Sequence, residues 1–406
     1  MRRDGKPAGL GADAAFPPQA YAAGRGKAAS GCHETETAGR QPGRMRTLLL
    51  LAAGLLSAAA APASDATGPA VTAPRPIVIA HRGASADRPE HTLAAYRLAI
   101  EQGADFIEPD LVITRDGVLI ARHENEISET TDVAARPEFA RRRTTKTIDG
   151  RSVTGWFTED FTLAELKSLR ARERLPRLRP ASAAHDGQET IPTLEEIIRM
   201  VQAEEQRLGR RIGLYPETKH PAYFRALGLP LEEPLVALLH RSGYRSAADP
   251  VFIQSFEVGN LQRLKGMTEL RLVQLVAAQG GPPDRPGQSY AAMLTPEGLR
   301  TIAGYAAGIG VEKPLVVPRD AAGRLRDPTC LVAMARAEGL EVHAWTFRPE
   351  NVFLPADLRA GSDPTARGDA EAEIRVFLSA GITGLFTDSV PPAVAAVRRL
   401  PQPRGD

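Results

Sequence analysis

The run Ile77-Val78-Ile79-Ala80-His81-Arg82-Gly83, followed by Thr92 to Gln102 with Leu93, Tyr96, Ala99 and Ile100 at helical spacing, decides how the rest of the chain is read. The first four residues are apolar without alternation, as in a strand covered on both faces, and polar residues begin where that strand ends. This is one βα unit. Phe106 to Ile113 and Val118 to Ala121 read as strands on either side of Arg115-Asp116-Gly117, whose Asp-Gly favours a hairpin. Further strands are predicted over Ile212 to Pro216, Val251 to Ser255, Leu270 to Val276, Val311 to Val317, Val342 to Phe347 and Gly384 to Thr387. Between them lie predicted helices at Glu232 to His240, Val258 to Lys265, Pro296 to Ala306, Thr329 to Glu338 and Glu371 to Ala380. About eight such units favour an α/β fold of the (β/α)8 TIM-barrel type, usually ~250 residues plus insertions, over an open doubly wound sheet. A small insertion after the second unit is placed at about 125–191. It ends where Thr193-Leu194-Glu195-Glu196 opens a helix with a capping-box pattern. Within it Thr162-Leu163-Ala164-Glu165 starts a helix of its own, and Arg141-Arg142-Arg143 reads as a solvated loop face.

The 406 residues are 43% hydrophobic and 25% charged, with a formal charge of +2, which excludes a disulfide-stapled miniprotein, a wholly disordered chain and a polyanion-coating nucleic-acid binder. The expected partner is a small molecule; oligomeric state is not legible. Residues 1–44 carry no sustained period and are read as disordered, with Met45 a candidate for the true translation start. Arg44-Met45-Arg46, the apolar run Leu48 to Leu56 and Ala61-Pro62-Ala63 form the three parts of a secretion signal over 45–63. A linker at 64–75, a folded domain at 76–395 and a tail at 396–406 complete the expected organisation. Cleavage after Ala63 would leave 43 basic and 45 acidic side chains of the original 51 and 49, a mature charge of −2. It would also leave Cys330 as the only cysteine, hence no intrachain disulfide and no lipidated cysteine at the cleavage point. The expected location is periplasmic or secreted, with no stable membrane anchor.

In a barrel of this type the reactive groups gather at the C-terminal strand ends, and the polar residues of this chain fall there. His81 and Arg82 follow the first strand; Glu108 and Asp110, two apart, share one side of the second; His123 follows the return strand; Glu217 and Lys219 repeat the i, i+2 spacing. Three carboxylates in one place repel one another unless a cation neutralises them, so Glu108, Asp110 and Glu217 suit a hard divalent cation, Ca²⁺ or Mg²⁺. Arg82 and Lys219 supply fixed positive charge for phosphate oxygens. His81 and His123 can divide proton transfer between nucleophile and leaving oxygen. The chemistry this suggests is phosphodiester cleavage.

The sequence then resembles a known family. Ile79-Ala80-His81-Arg82-Gly83-Ala84, Pro89-Glu90-His91-Thr92-Leu93, Glu108-Pro109-Asp110-Leu111, Thr114-Arg115-Asp116-Gly117, His123, Tyr215-Pro216-Glu217-Thr218-Lys219, Ile253-Gln254-Ser255-Phe256, His343-Ala344-Trp345-Thr346 and the run from Gly381 to Asp388 are similar to the glycerophosphodiester phosphodiesterases, most closely their periplasmic bacterial branch. The resemblance implies a phosphodiesterase barrel over roughly 76–395, metal on Glu108, Asp110 and Glu217, acid/base work by His81 and His123, and phosphate contacts from Arg82 and Lys219. Its substrates would be deacylated phospholipids, giving sn-glycerol 3-phosphate and an alcohol. One departure is Glu124 where the family usually has Asp after the second histidine, which bears on substrate preference or on contact with the insertion. Gln254 and Trp345, at later strand ends, are candidates for lining the substrate. His91 is read as supporting a helix start.

Two other readings stay open. A phospholipase D of the sphingomyelinase type would share barrel and histidines but need an apolar lip, for which 125–191 is too polar. A catalytically silent binding protein conflicts with the full set of acids, bases and ligands. An amidohydrolase is disfavoured because no two of the eight histidines stand two apart.

Overall fold

A computed structural model of the chain describes residues 75–401. The expected disordered leader and signal peptide, and nearly all of the linker, lie outside the described residues, as do the last five residues of the tail. Among the described residues no helix is long and apolar enough to cross a membrane.

The strands are β1 Ile77–His81, β2 Phe106–Glu108, β3 Asp110–Ile113, β4 Leu119–Ala121, β5 Thr144–Ile148, β6 Arg151–Gly155, β7 Gly213–Leu214, β8 Glu217–Thr218, β9 Phe252–Ser255, β10 Arg271–Val276, β11 Gly308–Glu312, β12 Glu341–Phe347 and β13 Gly384–Thr387. β9 through β13 pair in sequence and in parallel, and β13 pairs with β1, β1 with β2 and β2 with β7. β3 pairs with β8 and β8 with β9, which closes the ring. β2 and β3 are two halves of one barrel strand divided by Pro109, and β7 and β8 are halves of the next, divided by Pro216. Proline lacks a backbone donor, so each costs its strand one ladder bond. The opposite donations persist: Gly213, Tyr215, Glu217 and Lys219 give their N–H groups in turn to the carbonyls of Asp105, Ile107, Pro109 and Leu111 at 2.8–3.0 Å. The eight-stranded α/β barrel is therefore the observed architecture, with β4 folded back antiparallel on β3 through the turn at Gly117, φ +80°.

Period-2 alternation sorts the side chains of each barrel strand. Val78 and Ala80 join the large outer core under the helices, whereas Ile79 belongs to a separate cluster with Phe106, Tyr215, Phe252, Val273 and Phe386. Tyr215 meets Phe386 at 5.0 Å and His343 at 5.7 Å between ring centroids, although these come from strands on other sides of the ring, so the cluster fills the barrel interior. Two residues further along, five of these six strands carry His81, Glu108, Gln254, Glu217 and Asp388 on the same face, while Val273 is followed by Leu275. A dry aromatic floor thus supports a polar layer above it.

The helix starts follow their capping chemistry. Thr92 accepts from Ala95 N at the start of Leu93–Glu101, and Thr162 with Glu165, and Thr193 with Glu196, form complete capping boxes. One predicted strand is corrected. The strand occupies Gly308–Glu312, while Lys313–Val316, inside the predicted run Val311 to Val317, turns into a short helix with proline in its first turn. Gly308 and Gly310 hid the true strand from a hydrophobic pattern; a Cβ on Gly310 would stand 2.6 Å from Leu275 Cδ2, so the neighbouring strand's side chain fills that space. The segment between β4 and Leu194–Leu208 holds the β5–β6 hairpin and the short helices Leu163–Ser168 and Pro180–Ala183.

Candidate active site

The acids come together through sheet register. His81 stands opposite Glu108 in the β1–β2 pairing, Asp110 opposite Glu217 in β3–β8, and Glu217 opposite Gln254 in β8–β9. One carboxylate oxygen from each of Glu108, Asp110 and Glu217 lies within 4.8 Å of the other two, and all three residues are buried. Burial, then Asp110 and Glu217, push the Glu108 carboxyl well up. Burial also pushes Glu217 up, to about 8, Lys219 opposing and Asp110 adding to the rise. For Asp110 burial is outweighed by Lys219, His123 and His91, which hold it well below the usual carboxylate range. The donor set fits a divalent cation: Asp110 Oδ1 and Gln254 Oε1 are buried oxygens without a hydrogen-bond partner, beside three carboxylates that repel one another.

Fixed cations border the acids. Lys219 Nζ donates to Glu217 Oε1 at 2.8 Å and lies 4.0 Å from Asp110. Arg82 gives its backbone N–H to Glu108 at 2.8 Å and Nη1 to Glu90 at 3.0 Å, with Nε 3.3 Å from Asp110. Arg82 is held at φ +61°, a left-handed conformation that costs a non-glycine residue about 1–3 kcal/mol and clusters at functional sites. Gly83 follows at φ +87°, where a Cβ would come 2.7 Å from the backbone of Ala95.

His81 closes β1, and His123 follows β4 just after Arg122, whose N–H bonds Asp110 O at 2.9 Å. The return strand therefore delivers His123 to the level of the acids. His81 Nδ1 bonds Asp388 Oδ1 at 2.6 Å and His123 Nδ1 bonds the Glu124 carboxylate. Burial and the Arg82 charge depress both rings, His81 to about 4 and His123 to about 3, against the opposing pull of Asp388 and Glu124. Their side chains remain 13% and 29% exposed, so both can meet a ligand.

Gln254 is buried and donates to Glu108 at 3.1 Å, so it supports an acid, while Trp345 is half-buried, edge-on to Phe256 at 5.9 Å, with Nε1 unpartnered. His91 is corrected: Thr92 caps the helix, and His91, wholly buried at φ +56°, bonds Asp110 at 2.9 Å and Tyr96 at 2.8 Å. Sequence reasoning missed this role, along with those of Glu90, Asp388, Arg174 and Arg179. The Pro89-Glu90-His91 and Thr387-Asp388 runs carried a signal; the two arginines of the insertion carried none.

A parallel barrel whose mouth joins an acidic triad, two carboxylate-held histidines and two cations has the equipment of a metal-dependent phosphodiester hydrolase. Residues 81–391 match the glycerophosphoryl diester phosphodiesterase family. The chain is 36% identical over 338 residues to glycerophosphodiester phosphodiesterase GDPD6 of Arabidopsis thaliana, covering 80% of this chain and 87% of the relative. It is 31% identical over 368 residues to the glycerophosphodiester phosphodiesterase of Haemophilus influenzae, covering 84% and 94%. Among solved structures, a glycerophosphodiester phosphodiesterase from Agrobacterium tumefaciens superposes with TM-score 0.50 at 19% identity, covering 79% and 99%. A phosphodiesterase of Oleispira antarctica in complex with the product sn-glycerol-3-phosphate does so with TM-score 0.50 at 22%, covering 80% and 97%. The chain belongs to the glycerophosphoryl diester phosphodiesterase family. It is a phosphoric diester hydrolase acting on glycerophosphodiesters.

Proposed function

We propose that His81 and His123 are the acid/base pair, that Glu108, Asp110 and Glu217 hold Ca²⁺, and that the products are sn-glycerol 3-phosphate and an alcohol. The observation that carries this reading is the shared geometry of the histidines: each has Nδ1 occupied by a carboxylate, leaving Nε2 as the nitrogen for proton transfer. Arg82 and Lys219 attract the phosphodiester anion and orient it. Both rings rest as free bases near neutral pH, as a group that accepts the nucleophile's proton must; the bound anion raises its neighbours' affinity for protons, so the other ring can protonate the leaving oxygen. The cation, when bound, neutralises charge that develops on the phosphoryl oxygens. Every candidate donor, Gln254 Oε1 included, is a hard oxygen, which suits Ca²⁺ or Mg²⁺; Ca²⁺ is favoured because four protein oxygens form a largely all-protein cage, whereas Mg²⁺ keeps several waters. The complex of the Oleispira antarctica phosphodiesterase with its product sn-glycerol-3-phosphate supports the same product here.

The secretion-signal pattern supports export of a mature chain beginning after Ala63, and N-terminal sequencing of protein from the medium or periplasm tests it. Incubation with glycerophosphocholine tests the activity. Choline and glycerol 3-phosphate are expected with Ca²⁺ and neither after chelation; phosphocholine as product, or turnover undiminished by chelator, overturns the proposal.

A further inference from the structure

We infer that the inserted segment positions both histidines at once, through Arg174 and Arg179, and is thereby part of the proton-transfer apparatus. This rests on the acid/base reading of His81 and His123. Arg174 Nη2 donates to Glu124 Oε2 at 2.7 Å and to Glu90 Oε1 at 2.6 Å, Nη1 to Glu124 Oε1 at 3.1 Å and Nε to Glu90 Oε2 at 2.9 Å. One guanidinium thus grips two carboxylates, of which Glu124 holds His123 and Glu90 also accepts from Arg82. Five residues on, Arg179 Nη2 donates to Asp388 Oδ2 at 2.6 Å, and the other oxygen of that carboxylate holds His81. Arg179 Nε and Nη1 bond Glu350 at 2.7 Å and Ser85 O at 2.9 Å, tying together three stretches of the mouth.

Both arginine side chains are nearly buried, 9% and 5% exposed, where a charge persists only if paired. A carboxylate clamped by a guanidinium stays an anionic acceptor and keeps one orientation. Its histidine must then carry the proton on Nδ1 and present Nε2 as the base. Without the clamp the carboxylate can swing or take a proton, and the ring loses its fixed tautomer. The two clamps come from a single short stretch of chain but differ in construction: Arg174 holds both oxygens of Glu124, whereas Arg179 holds one oxygen of Asp388, which Arg348 Nε also reaches at 3.0 Å, so the larger effect is expected at Arg174.

The test is Arg174→Lys and Arg179→Lys, which keep the charge but lose the fork. With glycerophosphocholine and Ca²⁺, each is expected to lower kcat roughly 10- to 100-fold while KM changes less than about threefold. Calcium affinity by calorimetry and the melting temperature should stay near those of the unaltered chain. Nitrogen-15 imidazole spectra should show one histidine leaving its single tautomer in each variant, His123 for Arg174→Lys and His81 for Arg179→Lys. Should a lysine variant not fold, Glu124→Gln, which leaves the Arg174–Glu90 pair in place, carries the same expectation for His123. Undiminished kcat with unchanged tautomers overturns the inference, provided His81→Ala and His123→Ala are inactive. If those alanine variants turn over normally, the acid/base reading fails instead.

Discussion

Gln254 gives its side-chain amide to Glu108 at 3.1 Å, joining residues 146 apart in sequence within the ring of strands. With Arg82 N bonded to the other oxygen, the bond fixes the orientation of the Glu108 carboxylate, and it leaves Gln254 Oε1 beside the acids without a partner. Gln254→Leu keeps the side-chain bulk and removes both functions. Calcium affinity measured by titration calorimetry should fall roughly tenfold, the magnitude typical of losing a group that orients a ligand. Unchanged affinity would show that Glu108 needs no such support.

Glu217→Gln removes one charged ligand while keeping the shape and the chance of bonding Lys219. The ion should bind more weakly, and the loss should exceed that of Gln254→Leu, because a carboxylate interacts with a dication more strongly than an amide does. Equal ion affinity in variant and unaltered protein counts against Glu217 as a ligand.

His123→Ala should abolish turnover, a loss of at least about 10²-fold, with the fold intact. The partly exposed ring lies at the mouth and contributes to neither apolar cluster. Circular dichroism and calcium binding serve as controls; appreciable kcat on glycerophosphocholine would remove His123 from proton transfer.

Glu257 gives a pH-dependence. Burial, then Asp284 and Asp149, raise its carboxyl from 4.5 to about 8; one oxygen accepts from Ala222 N at 3.0 Å and the other has no partner. Between those pH values the folded chain retains a proton that the unfolded chain has released. The associated stability is therefore complete below pH 4.5 and is lost as pH rises to about 8. Glu257→Gln should cancel this, making the decline between about pH 6 and 9 shallower by about 3 kcal/mol in denaturant unfolding. Parallel stability curves for the two proteins would contradict the assignment.

The barrel was legible because its strands are apolar on both faces and its helices begin with capping residues such as Thr193. It was obscured where glycine replaced side chains, at Gly308 and Gly310, since a hydrophobic pattern cannot register a position whose space a neighbour fills. Glu108, Asp110 and Glu217 could be grouped because alternation and strand-end placement put them on one face of adjacent strands. The supporting residues could not be grouped that way. Arg174 and Arg179 lie in irregular chain, 50 and 209 positions from Glu124 and Asp388, and no periodicity links such partners. His91 was misread for a related reason: its neighbour Thr92 satisfies the helix start, which freed His91 to turn toward Asp110.

Pro109 sits between Glu108 and Asp110, and Pro216 directly precedes Glu217. A pyrrolidine ring locks its own φ near −65° and narrows the torsions of the residue before it. The backbone torsions of Glu108 and Tyr215 are thus narrowed, and Asp110 and Glu217 each follow a residue of fixed φ, at the expense of a ladder donor in each strand. Two five-membered rings thereby add covalent restraint at the rim to the hydrogen bonds that Gln254, His91, Arg82 and Lys219 make to the acids.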